Sequence, residues 1–185
     1  IDSQRLPKVY SFIKKQIGLS QQCMIVYPLV EESEKSDIAA AVDMYKELKQ
    51  NIFPDIEMGV IHGKMKSDEK KSIMRDFEKN KINILVATTV IEVGIDVPNA
   101  TIMLIEHAER FGLTQLHQLR GRVGRGAEKS YCILVNHGTN EKSSTRLGIM
   151  EETADGFRIA DEDLMLRGPG DYIGYQQSGF IKYKI

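Results

Sequence analysis

The sequence predicts an α/β domain of three layers, a parallel sheet with helices on both faces, and three observations carry that prediction. Short apolar runs alternate with amphipathic stretches over roughly the first 137 residues, the pattern of repeated βαβ units. The runs are continuously apolar, as strands buried on both faces of a parallel sheet are. The residues of unusual chemistry fall just after those runs, and open parallel sheets bind ligands beyond the carboxyl ends of their strands.

From Gln4 to Ile17, the apolar residues Val9, Phe12, Ile13 and Ile17 recur at helical spacing, and Gly18 ends the run. Cys23 to Tyr27 is a short apolar run closed by Pro28, hence a buried strand. Ile38 to Gln50 is alanine-rich and amphipathic, a helix, and Ile56 to Ile61 is the second strand. Ser67 reads as the N-cap of a helix with Asp68 and Glu69 in its first turn and Ile73, Met74 and Phe77 on its apolar face. Ile82 to Ala87 and Thr101 to Ile105 are the third and fourth strands, Leu113 to Leu119 begins a helix, and Ser130 to Val135 is the fifth strand. After Asn136 the texture changes. Glu141 to Asp155 and Ile159 to Leu166 read as two helices broken at Gly156. Arg167-Gly-Pro-Gly-Asp171 then forces a turn into the glycine-bounded loop Gly174 to Gly179. The expected division is a motor-like domain over 1–137 and a hairpin with its loop over 138–185.

Composition narrows the function. The 185 residues are 42% hydrophobic and 28% charged, enough for one globular core. A net charge of -1 excludes a global pull toward polyanions, so any such site is a local patch. Cys23 and Cys132 sit in apolar runs and read as reduced core residues, and they give no metal-site spacing with the four scattered histidines. No apolar run reaches the length of a membrane span, and no signal peptide is visible.

The stretch richest in chemistry is Gln118-Leu-Arg-Gly-Arg-Val-Gly-Arg-Gly126, which places Arg120, Arg122 and Arg125 among three glycines. Guanidinium stays charged at any working pH and can grip a phosphate through two parallel hydrogen bonds. Phosphoryl transfer needs positive charge where negative charge develops, and an arginine from a neighbouring domain can supply it. On a helix, Arg122 and Arg125 would share a side and Arg120 would point elsewhere. A solvated basic helix end is the plainer alternative, but each glycine costs about 1 kcal/mol of helix propensity there. No G-x-x-x-x-G-K-[ST] phosphate cradle occurs in the chain. Together with a first residue that is not Met, that absence leads us to expect a piece of a longer protein.

Thr88 and Thr89 close the third strand with hydroxyls suited to nucleic-acid phosphates. Gly94 and Asp96 follow. Asp96 suits a ribose hydroxyl or, equally, a helix cap. His62-Gly63-Lys64, after the second strand, offers amides and a lysine to a phosphate, although a plain turn explains it as well.

Together these motifs resemble the second motor domain of superfamily 2 helicases. Gln118 to Arg125 matches the pattern Q-x-x-G-R-x-x-R, Ala87 to Asp96 matches the motif before it, and Ile61 to Met65 with the following helix matches the region upstream. Within that superfamily the chain is similar to the RecG-type branched-DNA helicases, through Tyr27-Pro-Leu-Val-Glu-Glu-Ser33 and through Asp155 to Gly179, a translocation motif shared with the transcription-repair coupling translocase Mfd. The resemblance implies a RecA-like, P-loop NTPase-type fold for this helicase domain 2. It implies that Arg122 and Arg125, with Gln118, meet the γ-phosphate of ATP held with Mg²⁺ mainly by a preceding motor domain. Gly94 and Asp96 would touch the nucleotide, and His62, Gly63, Thr88 and Thr89 the DNA backbone. Arg146, Arg167 and Gln177 would couple hydrolysis to movement on duplex DNA. The family loop usually carries an arginine where this chain has Gln176. The function implied is remodelling of stalled forks and Holliday junctions in the bacterial cytoplasm, with this fragment alone inactive as an ATPase. The corresponding domain of Mfd and a non-catalytic nucleic-acid-binding module are the competing readings. The intact Gln118, Arg122 and Arg125 set speaks against the second of these.

Overall fold

The computed structural model describes residues 1–28, 34–88, 97, 99–124, 128–139 and 141–167. Thr89, Gly94, Asp96, Arg125 and Gln177, and the side chain of Arg167, lie outside what is described.

Five strands form one sheet: β1 (Gln22–Tyr27), β2 (Met58–Ile61), β3 (Ile84–Thr88), β4 (Ala100–Ile105) and β5 (Tyr131–Leu134). Their order is β2-β3-β1-β4-β5, with every pairing parallel. The helices are α1 (Leu6–Ile17), α2 (Glu34–Glu47), α3 (Ser67–Glu78), α4 (Leu113–Arg120), α5 (Glu141–Glu152) and α6 (Gly156–Arg167). Parallel neighbours need crossovers, and helices provide them.

The strands sort their side chains with period two. Met24, Val26, Leu85, Met103 and Ile105 face Phe77 of α3, Leu116 of α4, Met150 of α5 and Ile159 of α6. Cys23, Ile25, Val86, Ile102 and Leu104 face Ile13 of α1, Ala41 of α2 and Phe53. Both layers are closed to water, which is why the runs look uniformly apolar. Each fully buried aliphatic or aromatic side chain contributes about 1.5–3 kcal/mol. The α5–α6 hairpin shares its core with the sheet and α4 rather than forming a second one.

Local chemistry adjusts the expected boundaries. A 3₁₀ turn (Ser3–Arg5) precedes α1, whose Pro7 sits in the first turn, where no amide partner is missed. After α2 the chain widens into a π turn over Leu48–Ile52, closed by the Phe53 amide on the Leu48 carbonyl (2.7 Å), that seats Leu48 and Phe53 in the core. Ser67 is not the cap of α3. It is the first helical residue, and the Lys66 amide donates to Glu69 Oε2 at 3.1 Å. Gly156 does not lie between the two hairpin helices; it opens α6. Cys23 and Cys132 are free thiols, and burial pushes the Cys132 thiol up to about 11, partly offset by the charge of Arg120.

The polar residue at the start of the central strand has a structural task. Gln22 is fully buried, and its Nε2 donates to the carbonyls of Phe77 (2.6 Å) and Ile82 (2.7 Å). One amide therefore ties the end of α3 and the approach to β3 onto β1. Gln22→Leu would strip the Ile82 carbonyl of its Gln22 donor and leave the Phe77 carbonyl with the Asn80 amide, and urea unfolding of the 185-residue chain should show a loss of about 1–3 kcal/mol. A loss under about 0.5 kcal/mol, typical of a surface change, would contradict that task.

Candidate functional site

Helix α4 leaves the carboxyl end of β4 and carries the arginine motif back toward the start of β5, where Gly124 stands against Ser130. Its opening amide at Gly112 donates to Gln115 Oε1 (3.2 Å), Leu113 and Leu116 are buried, and Gln118 stands exposed. The helix stops at Arg120, where Gly121 is the C-cap. So Arg122 lies beyond the helix, and the expected shared facing with Arg125 falls outside the described residues. The expectation for Arg120 does hold. Its Nη1 donates to the carbonyls of Met150 (2.9 Å) and Thr153 (2.8 Å), and its Nη2 to His117 Nδ1 (3.0 Å). Those carbonyls end α5 and have no partner within their own helix. Because arginine only donates, His117 Nδ1 is the acceptor.

Arg122 follows in a turn closed by its own amide on Leu119 O (2.9 Å). Its side chain is half-buried and makes no hydrogen bond or ion pair with any described residue. Two residues on, Gly124 has φ +83, and a Cβ there would stand 2.2 Å from Ser130 Oγ. Only glycine fits that turn. The cluster thus divides its labour, with one guanidinium bound inward and the next left open.

The predicted nucleic-acid contacts lie at the carboxyl edge of the sheet. Tyr27 is level with Thr88, and Ile61 with Ala87, so His62, Thr88 and Tyr27 form one row across β2, β3 and β1. His62 Nδ1, Thr88 Oγ1 and Tyr27 Oη are all buried without a hydrogen-bond partner. Unpaired buried polar atoms are rare, and a water, an ion or an incoming group can complete them. Thr88 is only 1% exposed, so its hydroxyl lies beneath the surface rather than on it. Beside the row, Lys70 Nζ donates to the Gly63 carbonyl (2.8 Å), and Met65 N closes a turn on His62 O (3.2 Å). Lys70 thereby fixes the His62-Gly63 turn from α3.

A third group has no counterpart in the sequence reading. Glu106, at the end of β4, is buried and pairs with His137 Nε2 (2.8 Å). The His107 and His137 rings stack with centroids 4.0 Å apart, and His107 is held in the left-handed region at φ 50. Glu109 accepts from the His137 amide (3.0 Å) and lies 3.3 Å from His107 Nδ1. Burial works against its carboxylate, but the backbone amides of His137 and Glu109 and the His107 side chain outweigh that and hold its pKa below the usual range. Arg146 of α5 donates through Nη2 to the Glu109 carbonyl, so it reaches the loop after β4 and not across the hairpin. Glu-His-Ala-Glu directly after a strand was the available signal; the partner His137 lies 31 residues away from Glu106. Among the described residues no cluster could hold a metal ion.

Comparison with known proteins identifies the family. The helicase conserved C-terminal domain profile matches residues 6–127, and the profile for domain 3, C-terminal, of the ATP-dependent DNA helicase RecG matches residues 153–185. The chain is 51% identical over its whole length to the ATP-dependent DNA helicase RecG of Synechocystis and covers 22% of that protein. It is 49% identical over 97% of its length to RecG of Bacillus subtilis and covers 26% of it. The chain therefore spans about a quarter of the relatives it matches. A structure of RecG bound to a three-way DNA junction superposes with a TM-score of 0.77 at 45% identity, over 93% of this chain and 22% of that one. The C-terminal domain of the DEAD-box protein Dbp5 shares the fold alone, at 20% identity and a TM-score of 0.54, over 77% of this chain and 76% of that one. By these matches, and by a RecA-like parallel sheet that ends in an arginine-bearing helix, the chain belongs to the helicase conserved C-terminal domain family.

Proposed function

We propose that this chain is the second motor domain of an ATP-dependent double-stranded DNA translocase of RecG type, one that remodels stalled forks and Holliday junctions. The observation that carries the reading is the open guanidinium of Arg122, half-buried at the end of α4 while its neighbour Arg120 is bound inward. Such a group fits the outermost phosphate of a triphosphate presented from across a cleft. The chain offers no phosphate cradle, so ATP and Mg²⁺ rest mainly on a preceding motor domain. The bound nucleotide supplies the hydrolysis. This chain's part is to bring positive charge to the γ-phosphate through Arg122, with Arg125 and Gln118 beside it, and to exclude water as the cleft shuts. Gly94 and Asp96 belong to the nucleotide side of that cleft.

DNA is the proposed partner of the row at the carboxyl edge of the sheet. His62, Gly63 and Thr89 contact the backbone, while Thr88, proposed from sequence as a contact, is buried and supports the row from beneath, and the fork or junction is the substrate because a relative this similar is seen on a three-way junction. Residues 153–185 match RecG domain 3, which favours this assignment over Mfd. Arg146, Arg167 and Gln177 are the proposed coupling residues. No described helix is long and apolar enough to cross a membrane, and we place the full-length protein in the bacterial cytoplasm.

In the full-length protein with forked DNA, Arg122→Ala should lower the ATPase kcat by about 10²–10³-fold and leave DNA affinity nearly normal. Turnover equal to wild type would remove the finger role, and robust turnover by these 185 residues alone would contradict the divided site. His62→Ala should raise the DNA concentration for half-maximal stimulation about five-fold, the worth of one hydrogen bond, without changing unstimulated hydrolysis. An unchanged stimulation curve would take His62 off the DNA path.

A further inference from the structure

Helix α4 is fastened to the α5–α6 hairpin at both ends. At its amino end the backbone lacks a capping side chain, because the N-cap residue is Gly112. The cap comes instead from α6. Asp163 is 7% exposed; its Oδ1 accepts from the Leu113 amide (3.3 Å) and its Oδ2 from Thr114 Oγ1 (3.2 Å). A carboxylate there satisfies an amide the helix leaves over and meets the positive end of the helix dipole. At the carboxyl end, Arg120 grips the last carbonyls of α5. Between the two ties, His117 lies so near α6 that a Cβ on Gly156 would stand 2.9 Å from its Nε2.

Two ties separated by the length of a helix, about 10 Å, resist both sliding and pivoting. Arg122 lies two residues beyond the second tie. A force on its guanidinium therefore reaches the hairpin through Arg120, with little freedom for α4 to absorb it. The coupling positions implied by resemblance are Arg146, Arg167 and Gln177; neither Asp163 nor Arg120 is among them.

We propose that α4 and the hairpin move as one rigid body, and that Asp163 and Arg120 are the positioning residues that carry cleft closure from the γ-phosphate to the translocation motif. This rests on the motor reading above. No part of it requires Asp163 or Arg120 to touch nucleotide or DNA. Their loss should spare hydrolysis and spoil its conversion into movement.

The test is ATP consumed per base pair of branch migration by the full-length protein, measured beside the DNA-stimulated kcat and the melting temperature. Asp163→Ala should raise ATP per base pair about five-fold or more, the worth of one cap, with kcat within about three-fold of wild type. Asp163→Asn keeps an acceptor for the Leu113 amide and should return most of the coupling. Arg120→Lys keeps the charge but can reach only one carbonyl well, and should uncouple as Asp163→Ala does. An unchanged ratio in both Asp163→Ala and Arg120→Lys, or kcat and movement lost together in both, overturns the proposal. Should Asp163→Ala fail to fold, Arg120→Lys decides alone. Wild-type protein with no DNA-stimulated hydrolysis would sink the motor reading instead, a different result.

Discussion

The bonds from Arg120 to the end of α5 organise the whole arginine motif. Its guanidinium is spent on the Met150 and Thr153 carbonyls, and the helix ends at its C-cap, Gly121. The chain turns there, and Arg122 emerges with no partner among the described residues. A charged side chain left half-buried and unpaired is a standing cost. It is tolerated where a counter-charge arrives from elsewhere, and a phosphate on an adjoining lobe is such a charge.

The parallel sheet supplies the second constraint. All five strands end on one side, so every loop that follows a strand is delivered to a single edge. One half of the edge holds the unpaired His62, Thr88 and Tyr27 atoms. The other half holds the Glu106, His107, Glu109 and His137 network, where carboxylates satisfy the imidazoles and Arg146 ties in the hairpin.

Much of this was readable from local pattern. Apolar runs mark the five strands to within two residues because both faces of a parallel sheet exclude water, and α1, α3 and the hairpin follow from helical spacing and glycine breaks. The errors share a cause. Gln22 looks like loop and is strand, since its partners Phe77 and Ile82 are 55 and 60 residues away. Asp163 looks like one more surface acid on a charged helix, and it is a buried cap for a helix 50 residues earlier. Ser67 has cap chemistry, yet the bond from the Lys66 amide to Glu69 marks a helix start one residue earlier. The arginine motif itself was visible, but which guanidinium turns inward depends on the tertiary position of α5. Spacing records neighbours in sequence; these decisions belong to neighbours in space.

One measurement bears on the central claim directly: a structure of the full-length protein with a non-hydrolysable ATP analogue and a three-way junction bound. The account predicts a closed cleft with the Arg122 guanidinium within hydrogen-bond distance of the γ-phosphate and Arg120 still on the α5 carbonyls. A closed cleft in which Arg122 points to bulk solvent while the triphosphate is held entirely by the other lobe would contradict it.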